Sequence, residues 1–479
     1  MIRFIVNDRR VALERGPETL ALDALRDDLG LKGTKESCRE GDCGACAVLL
    51  GEIRGGTLRY RAVCSCLLPL GDVAGRHLVT IEGLNGEALS PVQRALVDGG
   101  GIQCGFCTPG LVVALTGYLL ETPAIDPRSA ELGLAGNLCR CTGYAGIRRA
   151  VALLAAALPD LGPRGAARIS RLMALGVLPA HFGEAHERLR ALGDGGGATG
   201  ARETARTGAR EAVAIGGGTD LFSQRKLELR GRSLRFLGRE ERIRGVARNG
   251  ALVEIGAATT AAELMESPDL AAVLPSLREH LELFASPLVR NRATIGGNLA
   301  NASPIGDLAI LLLALGASVE LERDGSRRTL PLEGLYLGYK RLALEPGEIV
   351  SRVAIPIPAP GARLGFEKVS RRRLLDIAGV NSALCVVERD GAISAARLSA
   401  GGVAPIPLLL SKTSARLVGL PISEQTVREA ALEAMAEAAP IDDVRGSAAY
   451  KRTLLGRLVR AHFAALFPDR VGAAPGEEP

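Results

Sequence analysis

The sequence predicts a multidomain α+β chain, and three observations carry that reading. Short strands and turns alternate around one helix at the N-terminus, and a helical region follows. A Gly/Ala/Thr/Arg-rich stretch from Gly193 to Ala209 then separates these from a longer region mixing strands, glycine turns and helices. Nine of the ten cysteines lie within the first 141 residues, eight of them in two spaced quartets, which marks that part as chemically distinct. At 479 residues the chain has room for about three domains of ~150 residues with buried cores.

Taken in order, Ile2–Val6 and Val11–Leu13 read as strands around the polar turn Asn7-Asp8. Leu20–Leu29 is helix-periodic and stops at Gly30, and Ala47–Leu50 and Leu78–Ile81 read as strands. This order suits a small ferredoxin-like α+β domain over residues 1–84. Over 85–160 the pattern becomes helical: Pro91–Val97 with Ser90 as N-cap, then Gly110–Leu120 and Ile147–Leu158. Residues 161–210 form a linker, in which amphipathic His181–Leu192 is expected to dock on a neighbour. An α/β domain over 211–356 opens with the strand Val213–Ile215. A last segment, 361–470, ends in helices around Glu424–Ala439 and Ala448–Phe467.

Composition narrows the function. The net charge of +6 is spread along the chain, and 3% aromatics with no Trp give no stacking platform for single-stranded nucleic acid. The longest apolar run, Leu308 to Ala317, is too short to span a bilayer. Met1-Ile2-Arg3-Phe4-Ile5-Val6 reads as a strand rather than a leader, so a cytoplasmic protein is expected, with no membrane or nucleic-acid partner.

The cysteines form two quartets. Cys38, Cys43 and Cys46 have the C-x4-C-x2-C spacing of plant-type [2Fe–2S] sites, with Cys66 as the distant fourth ligand. Cys104 and Cys107 form C-x2-C, answered by Cys139 and Cys141 as C-x-C. A disulfide framework belongs to short secreted chains. Zinc fits the first quartet poorly, because Gly41 and Gly44 bring backbone amides close to the sulfurs. For the second quartet, spacing alone leaves zinc and iron–sulfur open. Its cysteines lie at helix entrances, where the macrodipole favours a thiolate.

Two glycine turns follow. Gly216-Gly217-Gly218-Thr219-Asp220 comes after a strand, and Ile295-Gly296-Gly297-Asn298 after Asn291-Arg292-Ala293-Thr294. Consecutive glycines let backbone amides form an anion-binding nest, although neither turn is a Walker A or a G-x-G-x-x-G motif. Tight turns capped by Thr219 or Asp220 are the alternative. Behind two one-electron centres, two such turns favour a redox dinucleotide, and a flavin exchanges one electron with a cluster and two with a hydride acceptor.

The stretches Gln103–Gly110, Gly136–Tyr144, Ala293–Asp307, Gly401–Pro405 and Asp442–Ser447 resemble the iron–sulfur/FAD subunit of bacterial xanthine dehydrogenases, within the molybdenum hydroxylase family. The resemblance covers the chain except the linker. It implies a β-grasp ferredoxin-like domain, a small helical bundle with the second [2Fe–2S] cluster, an FAD-binding domain and a C-terminal α+β flavoprotein subdomain. By the same resemblance, Ala214, Ile215, Gly216, Gly217, Gly218, Thr219, Asp220 and Leu221 surround the FAD pyrophosphate. Thr294, Ile295, Gly296, Gly297 and Asn298 form a second clasp, and Phe284, Asp307, Val350 and Lys368 line the flavin or its nucleotide half. A cation at Lys368 would stabilise the reduced flavin ring. Its alternative is a solvated lysine beside Arg371, Arg372 and Arg373.

The family implies hydroxylation of xanthine or hypoxanthine toward urate at a molybdopterin centre. Electrons then pass through the helical-domain cluster, the ferredoxin-type cluster and FAD to NAD⁺. The chain stops at Pro479, so the molybdopterin is expected on a large partner subunit, in a heterodimer or a dimer of heterodimers, with Gln103 and Cys141 nearest the pterin. No catalytic residue for the substrate step is expected here. Tyr336 to Tyr339 resembles a loop near the nicotinamide side.

Departures from the family pattern are Cys64, where asparagine is usual, Ser90 in place of histidine, and Leu374 and Leu375 in place of polar residues near the flavin face. Cys64 is thereby an alternative fourth ligand to Cys66, while Cys385 reads as a buried strand residue. Two other functions remain open: the same architecture serving an aldehyde or N-heterocycle, or oxygen as acceptor, and a stand-alone iron–sulfur flavoprotein reductase using NADH.

Overall fold

The computed structural model describes residues 1–122, 124–158, 160–192 and 212–472. The linker stretch Gly193 to Ala209 lies outside the described residues. The chain divides into two compact units, one of Met1–Arg239 with Ser286–Ala293, the other of Glu240–Ala285 with Thr294–Pro479.

The first unit begins with β1 (Ile2–Val6), β2 (Arg9–Leu13), β3 (Ala47–Arg54), β4 (Thr57–Cys64) and β5 (His77–Val79), in the sheet order β2-β1-β5-β3-β4. Only β1 and β5 pair in parallel, as in a β-grasp sheet. The expected helix over Leu20–Leu29 is a single α-turn, Ala21–Asp23, that widens into a π-turn over Ala24–Asp28 and ends at Gly30 with φ +68°. Strand β4 was not among the expected elements. It returns through Gly55-Gly56, both at positive φ, and buries Leu58, Tyr60 and Cys64 while Arg59 faces solvent. Leu58, Tyr60 and Ala62 alternate with Thr57, Arg59 and Arg61, a period-two strand signal present in the sequence.

The helical region is built as expected. Ser90 caps Pro91–Asp98 in a capping box with Gln93. Helix Thr108–Glu121 is its central element, with Leu111, Val112, Val113, Leu115 and Leu119 all buried. Its C-terminal carbonyls meet the buried guanidinium of Arg168, which donates to Leu119 O at 3.3 Å and also to Thr122 O and Gly162 O. Such carbonyls have no partner within their own helix, so a cation there both satisfies them and opposes the dipole. Helix His181–Leu192 docks on the β-grasp sheet: the Phe182 ring lies 5.0 Å from that of Tyr60, and His186 Nε2 lies 3.1 Å from Gly56 O. The unit also holds the parallel pair β6 (Val213–Ile215) and β7 (Leu234–Phe236).

In the second unit, β8 (Val246–Asn249), β9 (Leu252–Gly256), β10 (Ser318–Arg323) and β11 (Ser326–Pro331) come first. A short ribbon, β12 (Tyr336–Gly338) with β13 (Arg341–Leu342), precedes β14 (Ile349–Pro356). The antiparallel sheet runs β11-β10-β14-β9-β8, and the wholly apolar face of helix Asp307–Ala314 lies in the same core. A second antiparallel sheet follows, β15 (Arg363–Val369), β16 (Val380–Arg389), β17 (Ala392–Gly401) and β18 (Leu408–Leu409). Helices Glu424–Glu437 and Ala448–Leu466 pack with it, matching the expected C-terminal pair within two residues at each end. Cys385, read as buried, is only partly so.

Buried histidines give the fold an acid sensitivity. Burial lowers His77 to about 4 and His462 to about 3, from 6.5. A base with a depressed folded pKa is neutral in the fold and takes up protons on unfolding. Its stabilisation is present above pH 6.5, declines as pH falls below that value, and is gone near pH 4 for His77. Denaturation midpoints measured from pH 7.5 to 4 should fall, and the fall should be shallower in His77→Gln.

Candidate functional site

The first quartet sits on the loop between the helix and β3. Positive φ at Arg39, Gly41 and Gly44 curls this loop, turning amides inward: the Glu40 N–H donates to Cys38 Sγ at 3.4 Å. A bond from Cys43, with backbone amides of Glu40, Asp42 and Cys43, lowers the Cys38 thiol to about 5, and Cys43 is correspondingly raised. Buried Cys46 is approached by both Cys64 and Cys66, whose bonds hold it well below the usual thiol range. Cys66 also senses Cys38 across the loop, whereas Cys64 donates to the Gly41 carbonyl at 3.6 Å.

The second quartet joins two helix entrances. Cys107 is the N-cap of Thr108–Glu121, and Cys139 and Cys141 precede Ala145–Ala157, whose N-cap Tyr144 is left-handed at φ 64°. Cys141 Sγ donates to Cys104 Sγ at 3.5 Å. Cys107 bonds Cys139, and burial with that contact pushes Cys107 up to about 12. Burial opposes ionisation of Cys139, but bonds from Thr142, the Cys141 backbone and Cys107 outweigh it and leave the thiol lowered. Gln103 is exposed and is not the cap of this helix.

Within the quartets Cys38 bonds Cys43, Cys104 meets Cys141 and Cys107 bonds Cys139, while Cys46 is in contact with both Cys64 and Cys66. Among the described residues, no three His, Cys, Asp or Glu side chains converge as a single metal ion needs. Four cysteines in each quartet are the donor set that a two-iron cluster takes. Both donor sets fit the [2Fe–2S] cluster that the resemblance implies.

The two glycine turns fall in different units. In the first unit, β6 runs into Gly216-Gly217-Gly218, and Gly218 at φ +74° starts helix Thr219–Gln224. Gly217 is required by close approach, since a Cβ there would lie 2.0 Å from the carbonyl oxygen of Arg292. Ala214 is exposed, Ile215 is buried, and Leu221 packs against the core. Asp220 Oδ1 accepts from Gln224 at 3.3 Å.

In the second unit, the Thr294 hydroxyl accepts from Gly297 N at 3.1 Å and caps helix Ile295–Ala300. Gly296 N donates to Ala257 O at 2.9 Å, and a Cβ on Gly296 would lie 2.6 Å from that of Ala257. The same helix packs on β14, the strand of Val350. Asn298 Oδ1 is buried without a protein partner, an acceptor left for a bound group.

Nearby in the chain fold, Lys368 Nζ donates to Asp307 Oδ2 at 2.7 Å and to Leu283 O at 2.8 Å, next to Phe284 in sequence. The lysine side chain is 3% exposed, which rules out a solvated lysine in the basic run. Burial raises the Asp307 carboxyl, against the pull of Lys368 and of Asn381, whose Nδ2 donates to Oδ1 at 2.6 Å. Asn381 was missed from sequence. Its signal is a polar pair, Asn381-Ser382, inside an otherwise apolar strand. Leu374 is half-buried and Leu375 buried at φ 53°, in a loop where Asp376 accepts from Arg372 N and Ile377 N. Tyr336 is buried while Leu337 and Tyr339 are exposed.

Four family models match in succession. Residues 4–70 match the 2Fe-2S iron–sulfur cluster binding domain and 80–152 the [2Fe-2S] binding domain. Residues 199–358 match the FAD binding domain in molybdopterin dehydrogenase, and 366–466 the CO dehydrogenase flavoprotein C-terminal domain. Among solved structures, carbon monoxide dehydrogenase from Hydrogenophaga pseudoflava, lacking the Mo-pyranopterin moiety of its molybdenum cofactor, is 33% identical with a TM-score of 0.51. The match covers 55% of this chain and 91% of that one. The chain belongs to the molybdenum hydroxylase family. It is the electron-transfer part of a molybdenum hydroxylase, with two [2Fe–2S] domains and an FAD-binding domain. Other relatives of this molybdenum hydroxylase chain are xanthine dehydrogenase of Emericella nidulans, 29% identical over 91% of the chain, and xanthine dehydrogenase 1 of Arabidopsis thaliana, 30% over 86%. The chain spans 36% of the length of each. Quinoline 2-oxidoreductase from Pseudomonas putida 86 is 28% identical with a TM-score of 0.50, covering 55% of this chain and 90% of that one. No helix among the described residues is long and apolar enough to cross a membrane.

Proposed function

We propose that this chain carries electrons from a molybdopterin-bearing partner subunit to NAD⁺ in the oxidation of xanthine or hypoxanthine to urate. The observation behind this reading is the gathering of the cysteine thiols into two groups, one on the ferredoxin-like loop and one at two helix entrances, in a chain that also carries an FAD-binding domain. Cys38, Cys43, Cys46 and Cys66 would hold one cluster, and Cys104, Cys107, Cys139 and Cys141 the other. When bound, the clusters carry single electrons and the flavin exchanges one electron with a cluster and two with a hydride acceptor.

The remaining contributions come from this chain's own residues. By the family resemblance, backbone amides of Gly216–Gly218, with Ala214, Ile215, Thr219, Asp220 and Leu221, would surround the FAD pyrophosphate, and Thr294–Asn298 would supply a second phosphate clasp from its own unit. Lys368, fixed by Asp307, would present a cation to the flavin, with Phe284 and Val350 lining its site. At the second quartet Cys104 and Cys141 are exposed, beside Phe106 at 45% and Leu138 at 38% exposure. An apolar rim around exposed thiols is what a docked partner would cover, and it supports a large subunit at this end.

A second reading changes only the substrate. It is favoured by the carbon monoxide dehydrogenase and quinoline 2-oxidoreductase relatives, whose substrates differ from xanthine. Purification with native partners, followed by assay of xanthine-dependent NADH formation, separates the two. NADH formation is expected. A co-purified, molybdenum-containing complex that reduces NAD⁺ with another substrate and not with xanthine favours the second reading. A stable chain with no large partner would overturn both.

A further inference from the structure

We propose that the buried Asp72–Arg292 pair is a positioning device for the first glycine turn, orienting it for FAD from within the ferredoxin-like domain. This rests on the reading of Gly216–Gly218 as the pyrophosphate turn. Arg292 belongs to Ser286–Ala293, a segment that lies in sequence among flavin-domain residues but packs with the first unit. Asn291 anchors the segment to β4, donating to Ala62 O at 2.8 Å and accepting from Arg61 at 3.2 Å. Arg292 then donates in two directions, through Nη1 to Asp72 Oδ2 at 2.6 Å and through Nη2 to Gly217 O at 2.7 Å. Both side chains of the ion pair are almost fully buried, 5% and 6% exposed.

Asp72 is six residues beyond Cys66 and receives Arg76 Nη1 at 3.1 Å on its other oxygen. Arg239 donates to the adjacent Gly71 carbonyl at 3.0 Å. One buried carboxylate thus gathers three guanidinium groups, and only its negative charge lets Arg292 stay where it meets Gly217. The consequence for the turn is geometric. In a planar trans peptide the C=O and the next N–H point in opposite directions. Tethering the Gly217 carbonyl to Arg292 therefore aims the Gly218 N–H away from Arg292, as a donor for an anion. Gly217 permits this because a Cβ would strike the Arg292 carbonyl. Arg292 Nε is itself buried without a protein partner.

The test measures the FAD dissociation constant of the full cluster-loaded chain, with the EPR signals of both clusters as the control for an intact fold. Asp72→Asn keeps the shape and removes the charge that holds Arg292. Arg292→Lys leaves Asp72 a counter-charge but replaces the rigid fork, one nitrogen on Asp72 and the other on Gly217, by a single ammonium that does not fix the carbonyl's direction, so it reads the proposal even if Asp72→Asn fails to fold. Each should weaken FAD about tenfold or more, the contribution of one charge-assisted hydrogen bond, with both EPR signals unchanged. The double variant should bind no more weakly than the weaker single variant, because both act through one carbonyl. Single variants within about twofold of wild type, or additive losses in the double variant, overturn the proposal. A wild-type chain that takes up no FAD instead overturns the flavin reading on which it rests.

Discussion

Replacing Cys66 by serine is expected to remove one of two [2Fe–2S] EPR signals and to lower the iron content from about four to about two per chain. Replacing Cys64 is expected to leave both signals. The two cysteines are equally buried, each at 1% exposure, so accessibility does not distinguish them. Their contacts differ: both meet Cys46, but Cys66 also senses Cys38 at the other end of the loop's triplet, while Cys64 donates to Gly41 O. We propose Cys66 as the fourth ligand on that contact with both ends of the triplet. If Cys64→Ser abolishes the ferredoxin-type signal and Cys66→Ser spares it, the assignment is reversed.

Asp307→Ala is expected to produce the largest loss of stability, about 3–5 kcal/mol, because it leaves the Lys368 ammonium buried without its counter-charge. Asp307→Asn should be little better. Its oxygen can still accept from Asn381, but its NH₂ faces the lysine as a second donor. Lys368→Met should be milder and pH-dependent. It leaves a carboxyl already raised by burial, and the neutral acid tolerates that site better than the carboxylate. A carboxyl with a raised folded pKa stabilises below its unfolded value of 3.8 and loses that contribution as pH rises through the folded pKa. Denaturation of the flavin-free variants at pH 5 and pH 8 checks this, and equal stability of Asp307→Ala and wild type would refute it.

The local chemistry of this chain was largely legible in its sequence. Cysteine spacing picked out both quartets, Ser90 was identified as a cap, and Val213–Ile215 as the strand before a glycine turn. What escaped were relations between distant residues. Asp72 and Arg292 are 220 positions apart and each looks like an ordinary surface charge. Ser286–Ala293 gives no sign in sequence that it packs with the cluster domains, because that depends on Asn291 finding β4. For Lys368, three residues from Arg371, sequence left a solvated basic run as the alternative to a flavin-facing cation, and burial beside Asp307 removes that alternative. The pairing of thiols likewise needed the fold: spacing does not say that Cys104 meets Cys141 and Cys107 meets Cys139.

The most direct measurement is the iron-to-flavin ratio of the purified, cofactor-replete chain, with EPR of its reduced form. About four irons per FAD and two distinguishable [2Fe–2S] signals are expected. About two irons per FAD, or zinc in the helical-domain site, would contradict the two-cluster assignment.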